Sequence, residues 1–335
     1  MHVVDLHNHM VAEDVVAFLA RDGARLDTRI LETREGRVAQ IGRQAVRPLH
    51  ARMCDPAARL PDMDRLGIDV QAVSCTPFVL YADAPADLAL AVAQVNNDSL
   101  AAVARRHPGR FAPLASVPLQ DPERAARELE RAHALGLRGV EIPARAGELE
   151  LDDARLEPFW SAAAALRMPL CIHPFEASPC GAFARYALSP LIGSLFDTGL
   201  AASLLVMGGV LERHPGLRFV LYHGGGAFPA LLARLEKGHE LFAQARTAAP
   251  KPPSAYLDRF WFDTIAFETG WLAHLVARFG ADRMVLGSDY PLPLGPRDPA
   301  AEVRVLGLDA ESEAAILGGN ALGLLGLPRG AEAAA

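Results

Sequence analysis

Val3-Val4-Asp5-Leu6-His7-Asn8-His9 opens the chain with a short β-branched and apolar run that ends in two imidazoles. Side chains alternate along an extended strand, so His7 and His9 fall on one face, two strand rises apart, where they can share a cation. Seven further runs of this kind follow: Val70 to Thr76, Phe111 to Val117, Gly139 to Pro143, Pro169 to Pro174, Arg218 to His223, Phe260 to Thr264 and Met284 to Asp289. Between them lie helical patterns with apolar residues three or four apart, among them Asp87 to Arg106, Pro122 to Leu135, Leu156 to Leu166 and Ala227 to Ala243. Gly and Pro close these helices at His107-Pro108-Gly109, Leu135-Gly136, His214-Pro215-Gly216 and Phe279-Gly280. Eight strand–helix units in succession predict an α/β protein folded as a (β/α)8 TIM barrel.

At 335 residues the chain is long enough for two average domains, yet it is also an ordinary size for one α/β barrel. The reading is a single domain over 1–328. The segment Met10 to Asp69 is about sixty residues between the first two strands, too long for a βα loop, and is expected to form a lid or small insertion (10–69). The tail 329–335, Arg-Gly-Ala-Glu-Ala-Ala-Ala, has nothing to pack and is expected to fray. Apolar residues make up 51% and charged residues 22% of the chain, which excludes a disordered or fibrous protein. A net charge of −7 is the wrong sign for a partner such as nucleic acid. No apolar run reaches the roughly 18 residues of a membrane helix, and the start carries no charged leader, so no membrane association and a cytoplasmic setting are expected. Cys54, Cys75, Cys171 and Cys180 are far apart in sequence and form no CxxC pair, so buried or free thiols are expected rather than a thiolate metal site.

Chemistry gathers at the C-terminal ends of the strand candidates, the catalytic rim of such a barrel. His7 and His9 close the first run, His173 the fifth, His223 the sixth and Asp289 the eighth. A single histidine at a strand end is often only a satisfied polar group. Five ligand-competent side chains on four strand ends, with no equivalent set at the opposite ends, indicate a metal site. Imidazole and carboxylate without thiolate suit zinc, with manganese, iron or cobalt also compatible. His50, His107, His133, His214, His239 and His274 fall in loops, at helix ends or on helix faces and read as structural or solvated. Gly224-Gly225-Gly226 is followed by no Lys-Ser/Thr, so it is no phosphate loop; it reads as room for a substrate beside His223.

His-x-His on the first strand, His-Pro on the fifth, His-Gly-Gly-Gly on the sixth and Gly-Ser-Asp-Tyr-Pro on the eighth resemble the amidohydrolase superfamily. Within it, the chain resembles the branch of metal-dependent decarboxylases. The likeness runs from Asp5 to about Leu325 and includes stretches away from the metal motifs: Arg47-Pro48-Leu49, Gly67-Ile68-Asp69-Val70-Gln71, Val117-Pro118-Leu119-Gln120-Asp121 and Pro252 to Phe260. The resemblance implies that His7, His9, His173 and Asp289 ligate one divalent metal, normally zinc, with water at the open position, and that His223 is the catalytic histidine. It further implies that Arg47 grips a substrate carboxylate and that Arg234 reaches into the neighbouring subunit's site, making the active unit a homodimer. Phe175 replaces a tryptophan of the relative that shares most of these stretches. The loops Phe78 to Pro85 and Glu176 to Leu191 also diverge from it, and both are expected to line the pocket.

Nonoxidative decarboxylation fits such a site. Loss of CO₂ leaves an electron pair on carbon, and protonating that carbon or adding hydroxide to a neighbouring double bond provides the sink; a divalent cation can lower the pKa of bound water and anchor carboxylate oxygens, and His223 can move the proton. The expected partner is a small anionic substrate, an unsaturated or aromatic carboxylate. The same centre could instead hydrolyse an amide, ester or lactone, the alternative reading.

Overall fold

The computed structural model describes residues 2–42, 45–174 and 181–328; Phe175 lies outside them. Each of the eight runs contains a strand: β1 Val4–Met10, β2 Val70–Cys75, β3 Leu114–Ala115, β4 Gly139–Pro143, β5 Leu170–His173, β6 Phe219–Leu221, β7 Phe260–Asp263, and β8 as Met284–Val285 followed by Gly287–Tyr290. All neighbouring pairs are parallel. One half of β8 pairs with β7 and the other with β1, and Leu6 N–H donates to the Leu286 carbonyl between them at 2.8 Å. On the far side of β2, Gln71 bridges Phe111 ahead of β3. The eight strands therefore follow one another round a ring, with the predicted helices outside it.

Alternation sorts the side chains of β5 and β6. Leu170, Ile172, Phe219 and Leu221 pack outward among Trp160, Leu205, Leu232 and Leu272 of the surrounding helices. Cys171, Val220 and Tyr222 face the other way, into an inner cluster with Val4, Leu6, Val70, Leu114 and Val285. In β1 the register against β2 slips between Asp5 and Asn8, where two residues stand against one. This bulge lets Leu6 join the inner apolar cluster while His7, the next residue, turns into the rim.

The segment between β1 and β2 is folded. It holds a helix (Glu13–Asp22), a three-stranded antiparallel sheet (Thr28–Thr33, Gly36–Ile41, Ala45–Pro48) and two short helices (Ala51–Cys54, Leu60–Leu66). Its apolar cluster, Val15, Leu19, Ala39 and Met53, runs on into Cys75 and Leu80 above β2. One helical stretch departs from the membrane expectation: Ser189–Met207 is 19 residues long and apolar enough on average to cross a bilayer. Ser194, Asp197, Thr198 and Ser203 interrupt it, and it packs along the helix Phe228–Leu241.

Candidate metal centre

The bulge and alternation in β1 aim both of its imidazoles at the end of β8. Nε2 of His7 and Nε2 of His9 are 3.1 Å apart and stand 3.4 and 3.2 Å from Asp289 Oδ1. His173 and His223 complete the group, their rings 5.4 and 5.0 Å from that of His7. One ligand atom from each of His7, His173, His223 and Asp289 lies within 4.8 Å of the others.

The far sides of the rings fix their tautomers. His9 Nδ1 is 2.8 Å from the Cys75 carbonyl oxygen, and His173 Nδ1 is 2.7 Å from that of Pro174. His7 Nδ1 is 2.6 Å from Asp263 Oδ2, an oxygen that already accepts the His223 backbone N–H at 2.9 Å. Oxygen acceptors at this range require a donor, so each of these Nδ1 atoms carries its proton and each Nε2 presents a lone pair inward. His173 Nε2 and Asp289 Oδ1 are buried without a hydrogen bond. Tetrahedral ligands about 2.0–2.2 Å from one ion stand about 3.4 Å from each other, close to the spacing of His7, His9 and Asp289. Converging lone pairs and a carboxylate oxygen, all lacking a donor, fit a single divalent metal.

His223 is built differently. Its Nδ1 has no partner, and its backbone sits in the left-handed region at φ 57°. The three glycines after it continue that conformation with φ of 61°, 81° and 57°. A Cβ on Gly225 would lie 2.6 Å from the Phe262 ring and one on Gly226 2.5 Å from the Leu195 carbonyl oxygen. Close packing against β7 and the helix Ser194–Met207 therefore explains the glycines better than open space for a substrate does.

Charges in the cluster answer one another. Burial opposes a charge on His7, but hydrogen bonding to Asp263 and Asp289 outweighs it and carries its pKa up to about 10. Burial alone would raise Asp289, yet its contacts with His7 and His9 hold it well below the usual carboxylate range. Burial, joined by the charge of His7, lowers His223 to about 4. Burial with neighbouring imidazoles likewise takes His173 well below its ordinary value. A second proton on His7 and a metal ion compete for the same Nε2 lone pair, and the pull toward that proton in spite of burial marks a pocket arranged around positive charge.

The two predicted arginines are not among the side chains that converge on one another here. Arg47 is exposed on the strand Ala45–Pro48, opposite Ala39, and Arg234 is exposed on the helix Phe228–Leu241. Three buried residues at the rim escape the sequence reading. Asp263 ends β7. Glu141, in β4, accepts from Ser74 Oγ at 2.6 Å and lies 3.8 Å from His9 Nδ1; burial pushes its carboxyl up. Arg59, from the segment before β2, donates to the His9 carbonyl at 3.0 Å and to Asn8 Oδ1 at 3.2 Å, holding the end of β1 just past the bulge. Asp263 was within reach of the strand-end rule that selects Asp289, and Glu141 is a lone charge in an apolar run; Arg59 carries no comparable signal.

A family model described as amidohydrolase matches residues 4–327. The chain belongs to the amidohydrolase family. Its kinship lies in the branch of metal-dependent decarboxylases. The 2-amino-3-carboxymuconate-6-semialdehyde decarboxylase of Dictyostelium discoideum is 34% identical over 285 residues, spanning 84% of this chain and 79% of that relative. The crystal structure of 5-carboxyvanillate decarboxylase from Sphingomonas paucimobilis matches with a TM-score of 0.83 at 29% identity, over 98% of this chain and 100% of its own. A Polaromonas dihydroxybenzoic acid decarboxylase, solved with manganese and the inhibitor 2-nitroresorcinol, matches at 0.81 and 26% identity over 98% of each chain. This amidohydrolase shares with them the whole barrel.

Proposed function

We propose that this chain is a nonoxidative carboxy-lyase that releases CO₂ from a small aromatic or unsaturated carboxylate, with zinc as its metal. The observation that carries the proposal is the contrast between three imidazoles clamped at Nδ1 and a fourth, His223, left unclamped beside them. His7, His9, His173 and Asp289 hold the ion. When bound, it supplies a positive charge that polarises substrate oxygens and takes up part of the charge left as CO₂ departs. Zinc suits an imidazole and carboxylate donor set, which is also compatible with manganese, the metal bound in the Polaromonas neighbour.

His223, neutral near pH 7 because burial and its neighbour oppose charge, exchanges the proton that replaces CO₂ on carbon. In the balance R–COO⁻ plus H⁺ gives R–H and CO₂, the C–C bond breaks and its electron pair ends in the new C–H bond. Arg47 grips a substrate carboxylate, and Phe175 is assigned to substrate binding from its place in the sequence next after Pro174. Arg234 serves the site of a second copy. A homodimer is supported by a row of exposed apolar residues, Leu191, Ile192, Phe196 and Leu200, on the helix packed beside that of Arg234. We place the enzyme in the cytoplasm, in keeping with its unpaired Cys54, Cys75 and Cys171.

The test is product analysis of metal-loaded enzyme with a panel of hydroxylated benzoates and carboxymuconate-type acids. Stoichiometric CO₂ with the decarboxylated product is expected. Opening of an amide, ester or lactone without CO₂ would make the chain a hydrolase.

A further inference from the structure

We propose that Asp263 is a positioning residue that sets both halves of the centre at once, the ligand His7 and the turn that carries His223. The inference rests on the reading of the rim as a metal centre. The Asp263 carboxylate is wholly buried and receives four hydrogen bonds. Oδ2 accepts from His7 Nδ1 at 2.6 Å and from the His223 backbone N–H at 2.9 Å. Oδ1 accepts from the Gly224 N–H at 2.7 Å and the Ile265 N–H at 3.1 Å.

The two backbone donors at the end of β6 belong to the first two of four consecutive residues with positive φ. Histidine disfavours that conformation, so something outside the turn must hold it, and the only side chain among the described residues seen to accept those two N–H groups is Asp263. The same oxygen that fixes the turn also holds the proton on His7 Nδ1, which leaves the Nε2 lone pair for the ion. Tyr222 stacks on one face of that ring, with centroids 3.6 Å apart and planes 7° from parallel, which restrains its rotation away from the acceptor. One carboxylate thus couples where the ligand points to where the proton carrier sits.

Asp263→Asn is nearly isosteric and cannot satisfy this arrangement either way round. With its NH₂ in place of Oδ2 it faces two donors and forces His7 toward the tautomer protonated at Nε2. With its NH₂ in place of Oδ1 it faces the Gly224 and Ile265 N–H groups and opens the turn. The expected result, read by competition with a chelator, is manganese affinity about 10- to 100-fold below wild type. At saturating manganese, kcat should fall while KM changes little. Wild-type affinity together with wild-type kcat overturns the proposal. So does a loss of thermal stability alone, which would make Asp263 a purely structural residue. A wild-type chain that takes up no ion would overturn the metal reading and this proposal with it.

In case Asp263→Asn fails to fold, the intact protein provides a second test. In zinc-loaded wild type labelled with ¹⁵N-histidine, His7 Nδ1 should bear a far-downfield proton protected from exchange with water. A His7 ring protonated at Nε2, or an unprotected Nδ1, overturns the proposal.

Discussion

The lower and upper halves of the barrel interior are made largely by the same strands, only one to four residues apart, and obey opposite rules. Below, Val4, Leu6, Leu114, Cys171, Val220 and Val285 form a dry cluster closed by Leu322 and Leu325 of the C-terminal helix. Above, His7, His9, His173 and Asp289 stand nearly as deeply buried beside the half-buried His223, and His173 Nε2, His223 Nδ1 and Asp289 Oδ1 find no hydrogen-bond partner. His223 and Asp289 also hold left-handed backbone, φ 57° and 54°, which non-glycine residues adopt at a cost of roughly 1–2 kcal/mol. The contrast assigns stability to the lower half and chemistry to the upper one. Residues above should be removable without loss of fold, and residues below without loss of chemistry.

The largest effect sharpens that contrast at a single position. His223→Gly should lower turnover about 10²- to 10⁴-fold, while the released backbone strain raises the free energy of unfolding by about 1 kcal/mol. Denaturant titration beside steady-state kinetics would reveal the opposed signs, and a variant both active and destabilised would break the comparison. Leu114→Ala, in the lower half, should cost about 2–5 kcal/mol of stability through the cavity it leaves. Its metal content per folded chain and its kcat at a temperature well below unfolding should stay close to wild type.

A smaller effect tests whether the upper half is complete within one chain. Arg234→Ala and His223→Ala subunits, each inactive alone, should regain part of the activity when mixed, because a hybrid dimer holds one site with both residues intact. No recovery after confirmed subunit exchange would confine Arg234 to its own chain.

Much of this division was legible in the sequence, for physical reasons that also explain the misses. Apolar runs bounded by Gly and Pro locate all eight strands. The third shrinks to Leu114–Ala115 because Pro113 has no N–H to contribute to a ladder. The eighth splits at Leu286, whose N–H turns aside to the Ile316 carbonyl at 3.1 Å. Strand-end position brings out His7, His9, His173, His223 and Asp289, since one-face alternation is a property of sequence. The β1 bulge is not legible, because it is a matter of pairing with β2, some sixty residues away, and neither is Arg59, which reaches the His9 carbonyl from fifty residues on. The glycines after His223 are visible, but the Phe262 ring that demands Gly225 is a tertiary fact.

The central claim is that the upper half holds one divalent ion through His7, His9, His173 and Asp289 without being needed for the fold. Elemental analysis of wild type, His7→Ala and Asp289→Ala, with circular dichroism on the same samples, tests it most directly. The account predicts a single ion per wild-type chain and loss of that ion from both variants, with native secondary structure retained. Full occupancy in both variants would contradict it.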